Sequence, residues 1–251
     1  MRMRSLTRIG IPAIWIWGSF AFGGYSAVAQ EKPVTARVKI EVGESDNSST
    51  PADHASDVVI WLKPLDLTAV KTVAAEQSGK RPQVIQKNKS FQPHLTVVRV
   101  GSVVDFPNHD PFFHNVFSLF DGKRFDLGLY EAGATNSVRF DHVGVSYLFC
   151  NIHPEMSAVV VAVDTPYYGV SDKSGNVAIG NVPDGRYELH VWYEQSVPEA
   201  LKTLTRTVHI SENARDVGTI VVLQDPGFTP AHKNKYGQDY APAPKQQYSQ
   251  P

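Results

Sequence analysis

The residues best suited to chemistry stand together in Cys150-Asn151-Ile152-His153-Pro154-Glu155-Met156, a C-x-x-H-x-x-M run holding the only cysteine of the chain. A thiolate, an imidazole and a thioether are soft to intermediate donors that favour copper over magnesium or calcium. Side chains three apart point one way only in a tightly wound loop, and Pro154 helps to fix one. A His2Cys copper site needs a second imidazole, with methionine as a weak axial donor. His114 is the best candidate. It lies among apolar residues in Phe112-Phe113-His114-Asn115-Val116-Phe117-Ser118, just after the turn Phe106-Pro107-Asn108-His109-Asp110-Pro111. Zinc is the competing ion, because two imidazoles and a thiolate also suit it, although it has little use for a thioether.

Taken singly, each donor has a plainer explanation. A lone cysteine is usually a small buried hydrophobe, and a lone methionine fills gaps in a core. Taken jointly, those explanations do poorly: two of the three methionines fall in the first three residues, so the last sits near the only cysteine, with a histidine between. The other histidines lack ligand spacing. His109 belongs to an exposed turn, His94 heads a strand, and His142 flanks the same region. His54, His190, His209 and His232 read as surface or strand residues. Enzymatic chemistry is disfavoured. Cys150 follows the apolar Tyr147-Leu148-Phe149 with no evident oxyanion donor, and there is no G-x-S-x-G, HExxH or CxxCH motif. The chain reads as a non-enzyme.

These donors sit in an exported chain. Arg2, Arg4 and Arg8 precede an apolar run from Ile9 to about Phe22, and Ala27-Val28-Ala29 is a small-x-small cleavage pattern. This is the form of a secretory signal peptide, 1–29, cleaved after Ala29 and leaving no stable membrane anchor. Periplasmic or secreted localisation follows. The full chain of 251 residues carries 24 basic and 25 acidic groups. Removal of the leader takes three arginines and no acid, leaving 21 against 25, a net charge of −4. Nothing in that balance calls for nucleic acid. One cysteine also excludes a disulfide framework, a four-cysteine zinc site and an iron–sulfur cluster.

The elements that must position the donors are short strands. Ala36, Val38, Ile40 and Val42 alternate with polar residues; Asp57–Leu62, Leu95–Val100, Ser102–Phe106 and Val145–Phe149 are apolar runs, the last delivering Cys150. Ser157–Val163 closes the set. Leu67–Gln77 is the one helix candidate. From Asp164 further strands are separated by turns, with Asp172-Lys173-Ser174-Gly175 a hairpin signal. Turns every eight to twelve residues predict an all-β chain of two sandwiches in series. The domains expected are 30–163, 164–223, and a disordered tail, 224–251, where Pro, Gln and Tyr lose hydrophobic period.

The run CNIHPEM resembles the type 1 copper loop of cupredoxins, particularly the short amicyanin and pseudoazurin kind, and His-Asn-Val at His114 is similar to that family's upstream copper-histidine motif. FPNHDPFFHNVFS with FDLGLY (Phe125–Tyr130) resembles a subgroup of methylamine-utilization proteins. The resemblance covers about 34–163. It implies a Greek-key sandwich holding one type 1 copper ion, with His114, Cys150 and His153 equatorial, Met156 axial, and Asn115 steadying the two ligand loops. It also implies one-electron transport between protein redox partners. DKSGNVAIGNVPDGRYELHVW resembles a smaller carboxypeptidase-regulatory-like, transthyretin-type β-sandwich. The second function left open is a copper-binding or partner- or glycan-binding module that does not shuttle electrons.

Overall fold

The structure is a computed structural model and describes residues 32–43, 49–52, 54–66, 79–119, 122–229 and 232–240. The leader and the helix expected over 67–77 lie outside the described residues. In chain order the strands are β1 (Val34–Gly43), β2 (Ser49–Pro51), β3 (Val59–Pro64), β4 (Ile85–Lys87), β5 (Ser90–Gln92), β6 (Leu95–Arg99), β7 (Ser102–Pro107), β8 (His114–Ser118) and β9 (Phe125–Tyr130). Then come β10 (Thr135–Phe140), β11 (Gly144–Phe149), β12 (Ser157–Val163), β13 (Tyr168–Val170), β14 (Asn176–Ile179), β15 (Gly185–Trp192), the short helix α1 (Pro198–Thr203), β16 (Arg206–Ile210) and β17 (Asp216–Gln224). The protein is all-β, as expected. No helix among the described residues is long and apolar enough to cross a membrane.

The strands build two cores. In the first, a five-stranded sheet ordered β6-β12-β11-β8-β9 faces β7 and β10, and Phe106, Phe140 and Leu148 are fully buried between them. Each such side chain contributes roughly 1.5–3 kcal/mol by leaving water. In the second, a sheet ordered β14-β1-β17 packs on a sheet ordered β13-β3-β15-β16, enclosing Val38, Ile60, Tyr187 and Ile220. Strand β1 shows the one-sided pattern: Val34, Ala36, Val38 and Ile40 are buried, and the residues between them are exposed.

This topology differs from the expected division at 163/164. β1 pairs with β14 and β17, and β3 pairs with β13 and β15. The chain therefore begins the second sandwich, builds the first from β4 to β12, and returns to finish the second. The N-terminal strands carry apolar alternation suited to either core, and alternation alone does not name a partner.

Two further expectations change. The turn at 172–175 forms, but β13 and β14 on its two sides join opposite sheets rather than a hairpin. The Asp172 carboxylate accepts hydrogen bonds from the Ser174 and Asn176 N–H groups, both at 2.9 Å. Gly175 has φ +78°, and a Cβ there would stand 2.1 Å from the Val38 carbonyl oxygen. The tail is not without structure: β17 runs to Gln224, and residues 232–240 pack on the loop after Cys150. Their contacts are polar and aromatic, and a hydrophobic-period reading does not register those.

Strand β12, SAVVVAV, is buried along nearly its whole length because both faces are covered. Ala158, Val160 and Ala162 point into the first core, while Val159, Val161 and Val163 pack against Val59 and Trp61 of the second sandwich.

Candidate metal centre

Strand β8 delivers His114. All five of its residues are buried, because it lies between β11 and β9 inside the sheet. The preceding loop fixes the imidazole. His114 Nε2 lies 2.8 Å from Asp110 Oδ2, and that carboxylate is itself only 5 % exposed. A carboxylate only accepts hydrogen bonds, so the shared hydrogen sits on Nε2 and the Nδ1 lone pair faces the other way. Asp110 also accepts the N–H groups of Asn88 at 2.7 Å and Lys89 at 2.9 Å. Both residues are left-handed, φ 55° and 54°, in the turn joining β4 to β5, so consecutive amides point at one anion. Burial alone would raise the Asp110 carboxyl. The Lys89 N–H, the His114 imidazole and the Asn88 N–H outweigh it and hold the group below its ordinary value.

Strand β11 delivers Cys150, fully buried. The loop behind it is closed by two backbone bonds, Cys150 N–H to Met156 O at 3.3 Å and Met156 N–H to His153 O at 3.2 Å. This one tight turn brings His153 back over the sulfur. Burial pushes the Cys150 thiol up, against the N–H groups of Asn115, Ile152 and His153, which favour a thiolate. A bound cation would reverse the balance, since coordination deprotonates a thiol outright. Burial, then the neighbouring His114, pushes the His153 imidazole down. It is thus an unprotonated donor at neutral pH.

The three donors converge. His114 Nδ1 and His153 Nδ1 are 3.2 Å apart, and Cys150 Sγ lies 3.9 Å from the first and 3.6 Å from the second. Two nitrogens and a sulfur on one ion at about 2.0–2.3 Å must stand about 3–4 Å from one another, so the set fits a single metal. It is the one such cluster among the described residues. Met156 is fully buried in the same core as Cys150. His109 is exposed and stands outside the cluster, its N–H bonded to Gln86 O at 2.8 Å. His94 lies elsewhere, bonded to Glu194 at 2.6 Å.

Asn115 steadies the site, though differently from the expectation. Its side-chain amide donates to Asp126 Oδ1 at 2.7 Å and Gly128 O at 2.9 Å, both on β9. Only its backbone N–H reaches the Cys150 sulfur. Asp110 escaped the sequence reading altogether. Its signal was its place four residues before His114 in a turn that cannot continue through Pro111.

No protein-family model matches the chain, and no curated protein matches it. Among solved structures it is similar to the Cu-containing nitrite reductase (NirK) from Thermus scotoductus SA-01, at 22 % identity and TM-score 0.33, over 34 % of this chain and 23 % of that one. The chain thus spans about a quarter of that enzyme's length. It is also similar to a purple cupredoxin from Nitrosopumilus maritimus, at 23 % identity and TM-score 0.30, over 33 % of this chain and 99 % of that one. A reduced amicyanin mutant matches at 22 % identity and TM-score 0.32, over 36 % and 88 %. Fold and site together define an all-β protein with a His-Cys-His cluster able to hold one metal ion.

Proposed function

We propose that the chain is an exported type 1 copper protein that carries single electrons between redox partners and is not an enzyme. The observation that carries this reading is the meeting of two imidazole nitrogens and one thiol, 3.2–3.9 Å apart, in a buried site. His114, Cys150 and His153 would hold the ion, with Met156 as the weak fourth donor. The donor chemistry favours copper, which supplies a one-electron couple when bound.

The chain's own residues do the rest. Asp110 fixes the His114 tautomer. The amides of Asn115, Ile152 and His153 stabilise the thiolate. Both ligand loops end on rigid strands, so the donors need little rearrangement when charge changes. His153 is the half-buried donor, edged by Phe112 at 5.7 Å between ring centres, and marks the route by which an electron enters or leaves.

Addition of Cu(II) to the purified chain should produce an intense thiolate-to-copper absorption band in the visible, and voltammetry should show a reversible one-electron wave. Cys150→Ser should abolish the band, and His109→Ala should leave it. A colourless complex would refute the copper reading. A coloured complex without reversible cycling would leave a copper-binding module and end the carrier assignment.

A further inference from the structure

The segment 232–240 closes over the back of the Cys150 loop. The Tyr240 hydroxyl donates to the Cys150 carbonyl oxygen at 2.6 Å, and His232 Nδ1 lies 3.2 Å from the same hydroxyl. The His232 ring stacks on Phe149, centres 4.0 Å apart and planes at 24°. The Lys235 N–H donates to Asn151 Oδ1 at 3.0 Å, next to the cysteine. Lys235 Nζ pairs with Asp126 Oδ2 at 2.8 Å, and the other oxygen of Asp126 accepts the Asn115 amide at 2.7 Å. Asn115 in turn directs its backbone N–H to the Cys150 sulfur. The segment therefore reaches the thiol by two routes, one through the Cys150 carbonyl and one through Lys235, Asp126 and Asn115.

These attachments are specific rather than merely adhesive. Between the segment and the sheet floor of Phe117, Tyr147 and Phe149 lies a cleft of about 650 Å³. Beside that cleft the segment is held by the His232–Phe149 stack and by its polar contacts with the loop, and only the polar contacts act on the backbone and side chains next to the sulfur.

We infer that Tyr240 and Lys235 are positioning residues of the metal centre: they hold the Cys150 loop in its ligating shape and raise the reduction potential of the bound ion. The inference rests on the copper reading above. The sign follows from charge. The oxidised site is the more positive one, so the Lys235 ammonium disfavours it. Removing that ammonium leaves the Asp126 carboxylate without its cation, and removing the Tyr240 hydroxyl leaves the negative end of the Cys150 carbonyl without its donor; both favour the oxidised state.

The test uses the full chain and the double variant Lys235→Met with Tyr240→Phe, with Lys233→Met as a control for the charge change alone. In the copper-free protein, amide hydrogen exchange over 150–156 should speed by about tenfold in the double variant, the loss of one to two net hydrogen bonds. In the copper-loaded protein, the ratio of Cu(II) to Cu(I) affinity should rise about tenfold, a fall in potential of about 59 mV for one electron. Lys235→Arg should restore most of the fall, and Lys233→Met should change neither quantity. Unchanged exchange together with an unchanged potential overturns the inference. So does an equal potential shift in the control. If the parent chain gives no thiolate-to-copper band while loop exchange still accelerates, the copper reading has failed and the hold of the segment on the loop stands.

Discussion

Asp110 is an anion in a place that excludes water, and its buried charge is tolerated because three donors meet it. Such a group orients a ligand and makes it a better donor, and losing a partner of this kind typically costs about 10–100-fold in metal affinity. Asp110→Asn keeps the shape and removes the charge. Its amide nitrogen must face one of the N–H groups that Asp110 now accepts, so under the proposed function the substitution should weaken copper binding by at least that factor in a competition with a coloured chelator. An affinity within about twofold of the parent would show that the Nε2 contact is only structural. His153 adds a pH signature. Its imidazole is held below the ordinary value of 6.5, first by burial and then by His114. The unfolded chain therefore takes up this proton more readily than the folded one. The contribution of His153 to copper-free stability is present above 6.5 and is lost as pH falls through the lowered value.

At the scale of elements, the contact between His94, heading β6, and Glu194, just after β15, ties the two sandwiches at 2.6 Å. The glutamate hydrogen bond raises the His94 imidazole above its ordinary 6.5. The folded state thus holds this proton more tightly than the unfolded one. The stabilisation is complete below 6.5 and is lost as pH rises through the raised value. Denaturant midpoints should fall as pH rises across that window, and Glu194→Gln should flatten that part of the profile. An equally steep profile in the variant would assign the slope to other groups. The turn at Gly175 offers a second test. Gly175→Ala places a Cβ against the Val38 carbonyl in a left-handed backbone and should cost at least about 1 kcal/mol in an unfolding titration. The same elements show what the sequence made legible. The C-x-x-H-x-x-M spacing is a property of one loop, so Cys150 and His153 could be read from local chain, and His114 from its place after a turn. The assignment of β1 and β3 could not, because strand partners are set by contacts more than a hundred residues away, as in Val34 with Ile179. Asp110 and Tyr240 were hidden for another reason: their roles are single hydrogen bonds, which leave no periodic trace.

Across the whole molecule, the sandwich that carries the His-Cys-His cluster is inserted between β3 and β13 of its neighbour, and the two share a buried seam of Val59, Val159, Val161 and Val163. Strand β12 makes that seam possible because both of its faces are apolar: Ala158, Val160 and Ala162 fit the first core, and Val159, Val161 and Val163 fill the space between sandwiches. An insertion held at both ends and glued along a strand should melt with its host. A single cooperative transition is expected on heating, and under the proposed function copper bound preferentially to the folded state should move all of it upward. At a free concentration 100 times Kd the gain is about 2.7 kcal/mol. Val161→Asp puts a carboxylate without a partner into the seam, at a cost of several kcal/mol if it stays buried. The sandwiches should then part in calorimetry, giving two transitions of which copper shifts only one. Two transitions already present in the parent chain, or two that both respond to copper in the variant, would show that the seam does not carry the coupling.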